Sequence, residues 1–150
     1  MIKTKLDPVD LPQILELGRQ FHQESHFGDT QYDEVKVRML LEKSLELPHK
    51  LFLAYDDQFQ GVTLLQMGTQ FFNNDLWAGD QAFYVTPNSR GSGLANELLQ
   101  AGQTWAKQEG AAEFVIFHNA GINTDTARKY YESKGFSLSG LILRKSLIEG

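Results

Sequence analysis

Arg90-Gly91-Ser92-Gly93-Leu94-Ala95 lies between an apolar run, Ala82-Phe83-Tyr84-Val85-Thr86-Pro87, and a stretch with helical spacing from Leu94 to Gln108. Strand, short glycine loop and helix form a layout that binds phosphate. The two glycines let the backbone approach a ligand with no Cβ atoms in the way. The N–H groups of the first helical turn then face the anion, with the positive end of the helix dipole behind them. The expected ligand therefore carries phosphate.

Two familiar phosphate motifs do not fit. A dinucleotide fingerprint needs a third glycine where Asn96 stands, and an acidic residue about 20 positions on. Here the next strand ends in Phe117-His118-Asn119 instead. A P-loop needs Gly-Lys-Ser/Thr, which the chain lacks.

Arg90-x-x-Gly93-x-Ala95, preceded by Tyr84-Val85-Thr86-Pro87, resembles the pyrophosphate motif of the GNAT superfamily of acyl-CoA-dependent N-acetyltransferases. A second resemblance lies in Ala127-Arg128-Lys129-Tyr130-Tyr131-Glu132-Ser133-Lys134-Gly135-Phe136, similar to that family's Ala-x-x-x-Tyr-Glu-x-x-Gly-Phe helix. The resemblance implies one α/β domain over residues 1–150. Its mixed twisted sheet should have helices on both faces, with central strands 81–86 and 113–118 splayed to admit acetyl-CoA as co-substrate.

Composition is consistent with this. The chain has 150 residues, 41% hydrophobic and 22% charged, a size and balance suited to a single globular core. No run of 18 apolar residues or signal-like start is present, so a cytoplasmic protein without a membrane partner is expected. The absence of cysteine excludes an acyl-cysteine intermediate and a thiolate metal site. A net charge of −5 argues against nucleic acid and suits a cationic partner.

Periodicity and punctuation place the other elements. Residues 2–6 form a short strand, and Asp10 caps a helix carrying Ile14, Leu17 and Phe21. Residues 22–33 read as a loop or broken helix, and residues 34–46 as a helix ended by Pro48. Residues 51–55 and 62–67 form a hairpin around 56–61. Leu94, Leu98, Ala101 and Trp105 share one helix face, and Gly110 closes that helix. Asp125 or Thr124 starts the last helix and Gly135 stops it. Residues 136–139 and 141–147 should form a final strand pair.

Acetyl transfer to an amine requires a held thioester, a neutral amine, a donor for the developing oxyanion and a proton for the leaving thiolate. The resemblance implies that Arg90, Gly91, Ser92, Gly93, Leu94 and Ala95 cradle the pyrophosphate, mainly through backbone N–H groups. It implies that the strand around Tyr84 and Val85 pairs with the pantetheine arm, with Val85 N–H as the oxyanion donor. The family often has Asn seven residues before its tyrosine. Here Thr124 occupies that place, with Asn123 beside it, so either could contact the pantetheine. Tyr131 is the general acid by motif spacing, and Tyr130 its packing neighbour, because adjacent helix positions point about 100° apart.

Asp80 is the candidate base, although strict alternation turns it away from the face of Phe83 and Val85. His118 is a comparable candidate. The substrate wall should draw on His22, Glu24 and Phe27 in the first loop and on Phe71. Glu24, Asp29, Asp33 and Glu34 make that stretch acidic, favouring a small cationic amine or a basic peptide or protein amine. His22 and His26 stand i, i+4 without further ligands, so no metal is expected. The family also suggests a homodimer, and the fold alone leaves open a non-catalytic acyl-CoA-binding or protein-interaction module.

Overall fold

The computed structural model describes residues 1–148. Its elements are β1 (Ile2–Lys3), α1 (Leu11–Glu24), α2 (Glu34–Glu46), β2 (Leu51–Asp56), β3 (Gly61–Thr69), β4 (Leu76–Val85), α3 (Leu94–Gln108), β5 (Glu113–Val115) and α4 (Thr124–Ser133). The strands form one sheet in the order β1-β2-β3-β4-β5. Neighbours are antiparallel except β4 and β5, which are parallel.

Alternation in β2 divides the core between two faces. Leu53 and Tyr55 join Leu64 and Tyr84 against Ile14, Leu15 and Leu17 of α1 and Leu41 of α2. Phe52 and Ala54 point the other way, with Leu65, Ala78 and Val85, against Leu94, Leu98 and Trp105 of α3. Trp105 also stacks on Phe52 at 5.2 Å and donates its indole N–H to the Pro48 carbonyl. Each fully buried Leu in these layers is worth about 1.5–3 kcal/mol of transfer free energy. The chain is thus a mixed α/β sheet with helices on both faces. No helix among the described residues is long and apolar enough to cross a membrane.

Several elements differ from expectation for definable reasons. Asp10 precedes α1 without a side-chain cap bond. Its carboxylate instead receives Lys3 Nζ and Tyr55 Oη, both at 2.7 Å, and fastens β1 and β2 to the start of α1. Asp7 supplies the cap, for the short 3-10 turn Pro8–Asp10. The helix α1 continues through His22 to Glu24, since no breaker interrupts it, and ends when Ser25 N–H closes on Phe21 and His22 carbonyls. In the stretch 71–80 the second half is strand, because Leu76 to Asp80 pair with β3.

The expected final strand pair is absent among the described residues: 136–148 contain no strand. Strand propensity becomes structure only when a partner strand and a buried face are supplied. Along this tail the only backbone bond to another main-chain group among the described residues is Phe136 N–H to the Tyr131 carbonyl.

Candidate active site

The ladder between β4 and β5 has only three rungs, Trp77–Glu113, Ala78–Phe114 and Gly79–Val115. Beyond them β4 runs on to Val85 with that side unpaired. Asp80 marks the parting point. Its Oδ1 accepts the Phe117 N–H at 2.7 Å, so a side chain takes the place of a rung. His118 follows at φ 43°, in the left-handed region, and turns the chain away. This is why β5 stops at Val115 and the strands splay.

A bulge aims Asp80. Leu64 pairs with Ala82 while Leu65 pairs with Asp80, which leaves Gln81 as an extra residue in β4. One inserted residue reverses the alternation on one side of it. Asp80 therefore shares the face of Phe83 and Val85, contrary to the expectation from simple alternation. Burial raises its carboxyl above the ordinary range, and the Phe117 N–H and nearby His118 pull it partly back.

The space opened by the splay is a cleft of about 250 Å³. Phe83, Tyr84 and Val85 line it from β4, His118, Asn119 and Ala120 from beyond β5, and Asn123, Tyr130 and Tyr131 from the α4 side. The Thr86 N–H bonds back across to Gln60, so the N–H of the preceding Val85 faces the cleft side. The Val85 carbonyl shares that direction and accepts Arg90 Nε at 3.0 Å.

The two tyrosines of α4 have different partners. Tyr130 Oη donates to Asn96 Oδ1 at 2.6 Å, tying α4 to α3. The residue that breaks the dinucleotide pattern thus has a structural use. Tyr131 lies edge-on to Phe83 and Phe136, at 6.0 and 5.7 Å between ring centres. Burial first, then the charge of Asp80, pushes its phenol well above the usual tyrosine range. It remains a protonated phenol at neutral pH.

At the other end of the cleft, Gly91 and Gly93 adopt φ 82° and 91°, and a Cβ on either would meet nothing within 4 Å. Gly93 stands at the N-cap of α3 without any side-chain cap. The first-turn N–H groups of that helix are thus bordered by open space, a cradle suited to a phosphate. Of the loop, Arg90 and Ala95 reach the cleft wall, whereas Gly91, Ser92, Gly93 and Leu94 lie beyond it.

The substrate wall differs most from expectation. The carboxylate of Glu24 accepts two contacts from Arg90, at 2.8 and 2.9 Å, and one from Tyr84 Oη at 2.8 Å. It is an internal partner here, and the Tyr84 phenol is pushed up to about 12 by burial and by that carboxylate. His22, in the last turn of α1, bonds Thr30 Oγ1 and faces the Tyr32 ring, both in the loop that follows the helix. Phe27 lies at the loop surface under Arg144. Phe71 is 97% exposed at the tip of the β3–β4 hairpin, because β4 begins only at Leu76. His22, Glu24, Phe27 and Phe71 do not line the cleft. Asn123, in the left-handed region at φ 47°, does, while Thr124 begins α4 exposed. Ala120 and Ile122, which no sequence pattern marked, close the cleft beside Asn123.

Asp80→Asn tests the aim of this carboxylate. A carboxyl whose folded value is raised makes the folded state lose stability as pH climbs from the ordinary value, about 3.9, through the folded one. Asn keeps an oxygen for Phe117 N–H and lacks the charge. Denaturation curves across pH should show the variant gaining on the parent as pH rises through that window. A stability difference independent of pH would mean that Asp80 is not held in the buried setting described.

A strand-splayed mixed sheet with a glycine loop at one end and a buried tyrosine at the other can hold an anionic ligand and a proton donor along one cleft. The Acetyltransferase (GNAT) domain family matches residues 48–138. An aminoglycoside N(6')-acetyltransferase type 1 from Acinetobacter genomosp. 13 is 30% identical over 121 residues, 77% of this chain and 74% of that protein. The chain belongs to the GNAT family and is an N-acetyltransferase.

Solved structures agree on the fold. The 6'-N-acetyltransferase for aminoglycoside antibiotics from Acinetobacter haemolyticus superposes with a TM-score of 0.72 at 19% identity, over 100% of this chain and 99% of that one. A ribosomal-protein-alanine N-acetyltransferase from Brucella melitensis biovar Abortus 2308 gives 0.69 at 18% identity, over 97% and 99%. Enzymes with quite different acceptors thus share this architecture, so the fold does not name the acceptor.

Proposed function

We propose that this chain transfers an acetyl group from acetyl-CoA to a primary amine of a small polycationic molecule by direct attack. The observation that carries it is the cleft between β4 and β5. One end reaches Arg90 and Ala95, beside the glycine loop and the first turn of α3, and Asp80 and Tyr131 both line it. At about 250 Å³ the cleft is smaller than the usual 300–1,000 Å³ of a site that encloses a whole ligand. It suits a thin acyl arm and an amine, with the nucleotide outside on the glycine loop.

Each group has one task. The backbone from Arg90 to Ala95 holds pyrophosphate, and Val85 N–H bonds the thioester oxygen as its charge grows. The exposed edge of β4 near Tyr84 pairs with amide groups of the arm. Asn123 is better placed than Thr124 for a further contact with that arm. Asp80 takes the proton that the amine must lose, helped by a basicity above that of an ordinary aspartate. Tyr131 gives its proton to the departing thiolate. His22, Glu24, Phe27 and Phe71 could touch only the outer parts of a long acceptor.

The acceptor class is supported by the charge of −5 and by the named activity of the relatives, aminoglycoside N(6')-acetyltransferases. A thiol-release assay with acetyl-CoA across an amine panel tests it. Polycationic amino sugars and polyamines should be used best, with kcat/KM falling as salt shortens screening to about 10 Å at 0.1 M. A neutral or anionic amine used faster, without salt dependence, would remove the cationic acceptor. No thiol release with any amine would remove the reaction.

A further inference from the structure

Glu24 was expected to face the acceptor, yet its side chain is committed to the glycine-loop end of the cleft. It is the last residue of α1. Its two oxygens accept Arg90 Nη2 at 2.9 and 2.8 Å, and one of them also accepts the Tyr84 hydroxyl at 2.8 Å. Arg90 is the only charged residue between Gln81 and Asn96. Its Nε donates to the Val85 carbonyl at 3.0 Å, and its guanidinium lies over the Tyr84 ring at 5.7 Å. The group is thus gripped on two sides. Its third nitrogen, Nη1, bonds no protein group among the described residues, and Arg90 lines the cleft beside the glycine loop. Only an arginine can do this, because its planar fork reaches two acceptors and still has N–H groups to spare.

Pairing the one cation of a phosphate loop with a carboxylate weakens its pull on an anion. Nor does the pair add much stability, since its side chains are 33% and 29% exposed. The gain is geometric. A free arginine loses rotamer freedom when it grips a ligand, whereas a held one has lost it already.

We propose that Glu24 is a positioning residue for the acyl donor. It acts through Arg90, holding Nη1 ready for a phosphate of CoA and keeping the Val85 carbonyl occupied. An arm laid along the open edge of β4 then finds the Val85 carbonyl closed and the Val85 N–H free for the thioester oxygen. The proposal rests on the reading of the cleft as the acetyl-CoA site.

Calorimetric titration with CoA of the parent, Glu24→Gln, Arg90→Met and the double variant tests it. In the parent background Glu24→Gln should weaken CoA binding by roughly 3- to 30-fold, as for other coupled neighbours. In the Arg90→Met background nothing is left to position, and the same change removes only a negative charge. CoA should then bind equally or more tightly. Equal weakening in both backgrounds would make Glu24 a support of the fold alone and overturn the proposal. Unchanged or tighter binding by the single variant would overturn it too, because Glu24 would then only repel the phosphates or play no part. A parent that binds no CoA would remove the cofactor reading itself, and this proposal with it. In steady-state kinetics Glu24→Gln should raise KM for acetyl-CoA and leave the preference for dicationic over monocationic amines as it is. A change in that preference alone would return Glu24 to the acceptor side.

Discussion

Tyr131→Phe should lower turnover by roughly 10²–10⁴-fold, the usual loss when a general acid is removed, while the fold and the affinity for acetyl-CoA remain. The substitution deletes one oxygen and keeps the ring that lies edge-on to Phe83 and Phe136. That oxygen belongs to a phenol raised by burial and by Asp80, so it carries a proton to donate at neutral pH. Tyr130→Phe is the control on the same helix. It removes the bond to Asn96 and should cost about 0.5–1.5 kcal/mol of stability with little change in turnover. Steady-state kinetics and melting curves of both variants separate the roles. Equal, small losses of turnover would take Tyr131 out of the mechanism and leave solvent as the proton donor.

Gly93→Val should abolish the stabilisation that acetyl-CoA gives, about 2.7 kcal/mol for the parent at 100 times the dissociation constant. Gly93 has φ 91°, where a β-branched residue is strained by about 1–3 kcal/mol, and relief of that strain must move the loop. The side chain would also stand in the open space beside the first turn of α3. Gly110→Val supplies the comparison. Gly110 has φ 85° and equally open surroundings at the far end of α3, so it bears similar strain away from the cleft. Thermal melts with and without acetyl-CoA should show both variants weakened, but only Gly93→Val blind to the ligand. If both respond as the parent does, the glycine loop is a connector and the phosphate site lies elsewhere.

Several features were legible because they depend on neighbours in sequence. The glycine pair, the helical spacing of Leu94, Leu98 and Trp105, and the hairpin of β2 and β3 are local patterns, and each appears in the structure. The choice of Tyr131 over Tyr130 followed from motif spacing. The structure adds the reason for Tyr130: its hydroxyl is held by Asn96, from a helix 34 positions earlier.

The direction of Asp80 was not legible. A bulge at Gln81 depends on how β3 and β4 register, and nothing in the ten residues of β4 announces it. Glu24 likewise was expected on the substrate wall, within an acidic stretch. Its pairing with Arg90 joins residues 66 apart, and only the packed chain brings them together. The tail has strand-like residues but pairs with no strand among the described residues, so propensity misled there.

By itself, then, the sequence determined the family and singled out the glycine loop before α3 and Tyr131 as candidates, since short spacings encode all three. Tertiary structure decided where the charges face. The splay at Asp80, the Arg90–Glu24 pair and the unpartnered tail each depend on contacts between distant segments. Their existence rests on register, burial and the presence of an acceptor for each N–H, which no local pattern of residue types contains.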